Sequence, residues 1–250
     1  MNNNEAAGSQ KAGVLVKTSL VDFPGHVAST VFLHGCNLRC PYCYNTELVL
    51  KGIDAIDGIS TVQEIVDHLE KRKNVLTGFV LSGGEALISP HLEILIKEAR
   101  SRGYRIKIDT NGTNPEKLER LLSTPELKPD FVAMDIKTSL KKTGLLLPQL
   151  AGSPVIQTLA ERIMKSASLV ASLPPDMREF RTVLVPPLVS AEDIKDMASI
   201  LPKDASWQFA QFRNDNCIDP HYNDISPYTQ KEAEELVQTA AAIIPGAVLR

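Results

Sequence analysis

The chain has 250 residues, 43% of them hydrophobic and 23% charged, with a formal net charge of -3. These are ordinary globular proportions, which exclude intrinsic disorder as the default state. The charge balance lacks the basic excess of a nucleic-acid binder, and no apolar run approaches the ~20 residues of a bilayer span, so neither nucleic acid nor a membrane is expected as a partner.

In chain order, the first ten residues are polar and lack the apolar segment of a signal peptide. They read as a flexible tail over residues 1–12, followed by one domain over 13–250, and the lack of an export signal favours the cytoplasm. Residues 27–33 read as a strand. Residues 61–73 read as a helix with Val62, Ile65, Val66 and Leu69 on one face, opened by a Thr61/Glu64 capping box. A strand at 78–82 precedes a helix opened by Ser89 and Pro90 and stopped by Gly103. A third strand at 104–109 leads to a helix starting at Asn114 and Pro115. A fourth at 131–135 is apolar almost throughout, as a strand covered on both faces should be. A helix at 155–172, a strand at 179–185, a helix from Ser190 to about residue 201 and a strand at 207–212 follow. Ser226 and Pro227 open the last helix. Residues 139–153 have no clear period and read as a packed loop, with a partner-facing loop as the alternative.

Six β-α units in sequence order imply parallel strands joined by right-handed crossovers. Six are fewer than the eight of a closed barrel, so the expected fold is α/β, a partial (open) parallel β/α barrel. The polar and glycine-rich segments all follow predicted strands: His34-Gly35-Cys36, Ser82-Gly83-Gly84-Glu85, Asp109-Thr110-Asn111-Gly112 and Asp135-Ile136-Lys137. In parallel α/β architectures those strand ends share the face that carries the active site.

Three of the four cysteines fall in Cys36-Asn37-Leu38-Arg39-Cys40-Pro41-Tyr42-Cys43. Such spacing suits a compact metal centre better than a disulfide framework. A [4Fe–4S] cube normally takes four cysteine ligands, so three would leave one iron open. Structural zinc completed by His34 or Cys217 is the bland alternative, but zinc usually shows two Cys/His pairs and a second pair is missing here. Cys217 reads as a small apolar residue. Gly83-Gly84 can be a plain turn, and Glu85 a surface acid. Asp135 and Lys137 can be a simple ion pair, yet two residues apart on a strand they face one side, which suits a ligand carrying an ammonium and a carboxylate.

At these residues the sequence resembles the radical S-adenosylmethionine superfamily, through Cys-x3-Cys-x2-Cys with Tyr42 before the last cysteine and through Gly83-Gly84-Glu85. More narrowly it is similar to the glycyl-radical-enzyme activases, above all those of anaerobic ribonucleoside-triphosphate reductase. The likeness also runs through Thr18 to Gly25, Asp109-Thr110-Asn111-Gly112, Met134 to Lys137, Phe180-Arg181-Thr182-Val183 and Gln211-Phe212-Arg213. Ala86 departs from the proline that many relatives carry. The resemblance implies a [4Fe–4S] cluster on Cys36, Cys40 and Cys43, with S-adenosylmethionine chelated by the open iron. Ser82, Gly83, Gly84 and Glu85 would hold the methionine amino group. Asp109, Asn111 and Lys137 would meet the ribose or carboxylate, and Tyr42 the adenine. It further implies a monovalent cation at Asp109 and Asp135, an electron donor such as flavodoxin or ferredoxin, and a glycyl-radical enzyme as substrate, for which anaerobic ribonucleotide reductase is the expectation. A radical enzyme acting on a small molecule and a non-catalytic metal-binding module stand as alternatives.

Overall fold

The computed structural model describes residues 8–250. Residues 1–7 of the expected tail lie outside the described residues, and the first strand already begins at Lys11. Among the described residues no helix is long and apolar enough to cross a membrane. The chain divides into two compact units, and each is described by itself.

The first unit comprises the chain up to Asn37, Glu47–Thr110 and Glu119–Phe131. Its strands are β1 (Lys11–Ser19), β2 (Ala28–Leu33), β3 (Ile59–Thr61), β4 (Gly78–Gly83) and β5 (Arg105–Thr110), in the order β3-β1-β2-β4-β5. β2, β4 and β5 are parallel, with Leu33 opposite Gly83. Their C-terminal ends therefore lie side by side, and the chemistry-bearing segments follow them. β1 runs antiparallel to both β2 and β3. It is absent from the sequence reading, because Val14, Leu15 and Val16 follow one another without alternation. Its partners, not its own pattern, define it: a Cβ on Gly13 would lie 2.3 Å from the Phe32 carbonyl oxygen, so glycine there permits the backbone approach.

The helices of this unit are α1 (Thr46–Leu50), whose first residue is counted with the second unit, α2 (Val62–Arg72) and α3 (Leu92–Ser101). α2 opens with the expected box: Glu64 N–H donates to Thr61 Oγ1, and Thr61 N–H donates to the Glu64 carboxylate at 2.7 Å. Such a cap contributes ~1 kcal/mol. Ile65 and Leu69 of α2, Leu95 and Ile96 of α3, and Phe79 and Leu81 of β4 are fully buried. Each removes enough apolar surface to contribute roughly 1.5–3 kcal/mol. α3 starts later than expected, at Leu92, because Ser89 ends a short 3-10 turn, Ala86–Ile88, instead of opening the helix.

The second unit comprises Leu38–Thr46, Asn111–Leu118 and Val132–Arg250. α4 (Pro115–Ser123), whose residues from Glu119 on are counted with the first unit, begins at its proline as expected, with Lys117 N–H donating to Asn114 Oδ1. The strands β6 (Phe131–Asp135), β7 (Arg178–Leu184), β8 (Trp207–Gln211) and β9 (Ala247–Leu249) are parallel in that order. α5 (Pro154–Ala171), α6 (Ala191–Ala198) and α7 (Gln230–Ala241) alternate with them. The indole N–H of fully buried Trp207 donates to Thr182 Oγ1, whose hydroxyl donates to the Ile136 carbonyl, so the largest core side chain satisfies its polar atom. Residues 139–153 are not plain loop: they form 3-10 helices at Leu140–Leu146 and Pro148–Leu150. The fold is α/β, and the six strands expected from the sequence are β2, β4, β5, β6, β7 and β8, with β1, β3 and β9 added.

Candidate functional site

In the first unit β2 runs into His34-Gly35-Cys36. Gly35 turns in the left-handed region at φ 91°. Its N–H donates to the Leu48 carbonyl, and its own carbonyl accepts from Glu85 N–H at 2.9 Å. Gly84 N–H donates to the Leu33 carbonyl. The glycine pair is thus pinned against the start of the cysteine segment. A Cβ on Gly84 would stand 2.0 Å from Gly35 O and 3.1 Å from Cys36 Cβ, which explains why glycine is required there. His34 Nε2 lies 2.9 Å from the Lys51 carbonyl, so its ring N–H is directed at backbone.

Glu85 is only 2% exposed, and its Oε1 accepts from Thr110 Oγ1 at 2.7 Å and from Leu87 N–H at 3.1 Å. It orders the turn after β4. Ser82 Oγ donates to Asp109 Oδ2 at 2.8 Å, and Lys107 Nζ pairs with Asp109 Oδ1 at 3.0 Å. Lys107 also donates to the Asp22 carbonyl at 2.7 Å. Buried Lys107 has no role in the sequence reading. The signal was its place two residues before Asp109, on the same face of β5.

In the second unit the segment from Leu38 to Tyr44 has no helix or strand, as Pro41 led us to expect. Cys43 N–H donates to the Cys40 carbonyl at 3.0 Å. Tyr42 is buried, its ring edge-on to Phe212 at 6.5 Å, and its hydroxyl has no hydrogen-bond partner among the described residues. Burial raises its pKa, which nearby Lys137 only partly offsets. Asp135 sits between two cations: Lys137 Nζ at 3.0 Å from Oδ2 and Arg181 Nε at 2.9 Å from Oδ1. Burial would raise the Asp135 carboxyl, but Arg181 and Lys137 prevail and hold it at about 2. Burial would lower Lys137, but Asp135 foremost keeps it well above the ordinary lysine value. Asp135 and Lys137 lie together as their spacing predicts, but as the ion pair that the sequence offers as the second reading beside a ligand contact. Arg181, which the sequence reading left without a role, makes the cluster net cationic. Asn111 is buried, and its Oδ1 accepts from Thr113 N–H at 3.0 Å and from the Thr113 hydroxyl at 2.6 Å, closing the turn that Gly112 continues at φ 74°.

The donor set suits an iron–sulfur cluster. Cys36, Cys40 and Cys43 form no disulfide, and thiolates are the ligands such clusters take, although among the described residues no group of three or more His, Cys, Asp or Glu side chains is gathered closely enough to hold a metal ion. Cys217 is buried, with its thiol directed at the Arg213 carbonyl at 3.8 Å.

Comparison with known proteins gives matching results. Residues 30–166 match the Radical SAM superfamily. A Methanocaldococcus jannaschii protein, provisionally named a glycyl-radical enzyme activating enzyme, is 29% identical over 237 residues, covering 94% of each chain. The pyruvate formate-lyase-activating enzyme of Clostridium pasteurianum is 33% identical, covering 47% of this chain and 48% of its own length. The 7-carboxy-7-deazaguanine synthase of Methanopyrus kandleri is 30% identical, covering 46% and 51%. Among solved structures, TYW1 with a lysine–pyruvate adduct bound aligns with TM-score 0.57 at 13% identity, over 86% of this chain and 73% of that one. Streptococcus suis SuiB bound to its precursor peptide SuiA aligns with TM-score 0.56 at 14% identity, over 85% and 45%. At such identities these two likenesses show the fold alone.

Proposed function

We propose that this chain, which belongs to the radical S-adenosylmethionine superfamily and so uses a [4Fe–4S] cluster and S-adenosylmethionine, installs a glycyl radical on a partner enzyme. The observation that carries the reading is the similarity to a protein named for glycyl-radical enzyme activation over 94% of both chains. The likeness to the 7-carboxy-7-deazaguanine synthases covers about half of this chain and of the M. kandleri relative, and supports a small-molecule substrate as the second reading.

When bound, the reduced cluster and S-adenosylmethionine supply one-electron cleavage of a carbon–sulfur bond and a hydrogen-abstracting organic radical. The chain supplies ligation, orientation and exclusion of water. In this reading Cys36, Cys40 and Cys43 hold the irons as thiolates. Ser82, Gly83 and Gly84 present backbone to the methionine amino group, while Glu85 fixes their turn. Lys137, kept cationic by Asp135 and with Arg181 adding a second positive charge, attracts the cofactor carboxylate. Asp109 and Asn111 meet the ribose, and buried Tyr42 offers its ring to the adenine. Asp109 and Asp135 each already carry a protein cation, Lys107 and Lys137, so an added monovalent cation has less charge to neutralise than two bare carboxylates would offer. Residues 13–250 act as one functional domain in the cytoplasm, with flavodoxin or ferredoxin as electron donor. Anaerobic ribonucleotide reductase is the partner we favour.

The test is anaerobic reconstitution with iron and sulfide, reduction, and mixing with S-adenosylmethionine and a glycyl-radical enzyme of the same cell. The expected result is an electron paramagnetic resonance doublet from glycine, lost when the target glycine becomes alanine. Cofactor cleavage with no radical on any such enzyme overturns the activase reading and puts the small-molecule reading first.

A further inference from the structure

We infer that residues 216–219 form a strap that positions the cysteine loop, with Asn216 as its positioning residue, an inference that rests on the cofactor reading above. The cysteine loop poses a backbone problem. It has no regular structure to pair its carbonyls, and Pro41 has no N–H to contribute. A segment more than 170 residues later supplies the missing donors. Asp219 N–H donates to the Pro41 carbonyl at 2.9 Å, and Ile218 N–H donates to the Cys43 carbonyl at 3.0 Å. The Asn216 amide donates to the Tyr44 carbonyl at 3.3 Å and to the Thr46 hydroxyl at 3.0 Å. Four bonds thus bracket Cys43 on both sides, from the proline two residues before it to the first residue of α1.

The strap is shaped for this. Asn216 is the one non-glycine residue with positive φ among the described residues, at 56°. Asparagine tolerates that conformation better than most side chains, and here its amide also makes the two bonds to the loop. Asn223 holds the strap from behind: its Oδ1 accepts from Cys217 N–H at 2.9 Å, and its carbonyl accepts from the Asn214 amide at 3.1 Å. Above it the Arg213 guanidinium lies 5.7 Å over the Tyr44 ring. A local left-handed turn, a side-chain brace and a cation–π contact all converge on one loop, the one that carries Cys40 and Cys43.

If strap and loop are coupled, linkage makes the coupling reciprocal: ligation of the loop must steady the strap, and loosening the strap must loosen the ligands. Asn216→Gly keeps the left-handed turn and removes only the amide, and Asn223→Ala weakens the brace without touching the loop. Hydrogen exchange of residues 214–223 is followed by mass spectrometry in the iron-loaded and iron-stripped full chain. Release of iron to a ferrous chelator is timed for the wild type and both variants. We expect exchange of the strap amides to slow about tenfold on loading, because their opening then has to break the ligated loop as well. We expect iron release several-fold faster in Asn216→Gly, and in the same direction for Asn223→Ala, with thermal midpoints of the stripped proteins close to wild type. Equal strap exchange in the two states, or equal iron release in both variants, overturns the proposal. A wild-type chain that takes up no iron overturns the cofactor reading itself, and the strap proposal falls with it.

Discussion

Two carboxylates define the residue scale, and both are settled by a neighbour two positions away on the same strand or just past its end. Asp135 with Lys137 was legible in the sequence, since alternation puts i and i+2 on one side. Lys107 with Asp109 obeys the same rule but was passed over, because a lysine inside a strand reads as a solvated edge position until its burial is seen. The buried pair makes a sharp prediction. Removing one partner of a buried ion pair leaves an uncompensated charge and costs roughly 3–5 kcal/mol, whereas replacing both is far milder. Lys107→Met should therefore lower the urea unfolding free energy by about 3 kcal/mol, and Lys107→Met with Asp109→Asn should recover much of that loss. A double variant as unstable as the single one would show that the Lys107 bond to the Asp22 carbonyl carries the effect instead. The cysteines are simpler: alanine at Cys36, Cys40 or Cys43 should each abolish iron binding, read as iron content after anaerobic reconstitution.

At the scale of elements, what was legible depended on how local the determining contact is. The Thr61/Glu64 box lies within four residues and was read correctly. The opening of α7 was placed at Ser226 and Pro227, whereas the structure opens it at Thr229 with a Thr229/Glu232 box. Tertiary contact intervenes just before the helix: the Tyr228 hydroxyl donates to the Val189 carbonyl at 3.0 Å, a bond the local sequence does not signal. Asp193 illustrates the same limit. It caps α6 with Ser190, but it also accepts from Ser139 at 2.8 Å and pairs with Lys142 at 2.6 Å, tying the 3-10 segment at Leu140–Leu146 to α6. That second duty is invisible locally. Burial would raise its carboxyl, but Lys142 and Ser190 prevail and hold it at about 2, below the ordinary 3.8. A depressed carboxylate stabilises the fold above its unfolded pKa, and that contribution is lost as pH falls through its folded value. Between about pH 4 and pH 2 the wild type should therefore lose about 2 kcal/mol that Asp193→Asn has already forfeited. Parallel unfolding curves of the two proteins across that range would refute the assignment.

At the scale of the whole molecule, the comparisons separate what one fold shares from what one function needs. The M. jannaschii relative aligns along 94% of both chains, whereas the C. pasteurianum activase and the deazaguanine synthase align along about half. The part that matches the superfamily model, residues 30–166, carries the cysteine loop and the segment from Ser82 to Glu85. A ligand that binds only the folded protein stabilises it by mass action, about 2.7 kcal/mol at a hundred times its Kd. In a 250-residue chain each kcal/mol moves the thermal midpoint by roughly 2–4 °C, so S-adenosylmethionine should raise the midpoint of the iron-loaded protein by roughly 5–10 °C. The iron-stripped protein should respond much less, because chelation by the open iron is then lost. Lys137→Ala should keep its iron yet lose most of the shift, since the residual cation at Asp135 is Arg181, already bonded to the carboxylate. Differential scanning under anaerobic conditions reads all three at once. A full shift in Lys137→Ala would remove that lysine from the cofactor site, and a full shift in the stripped protein would mean that the cofactor is held by the chain without the cluster.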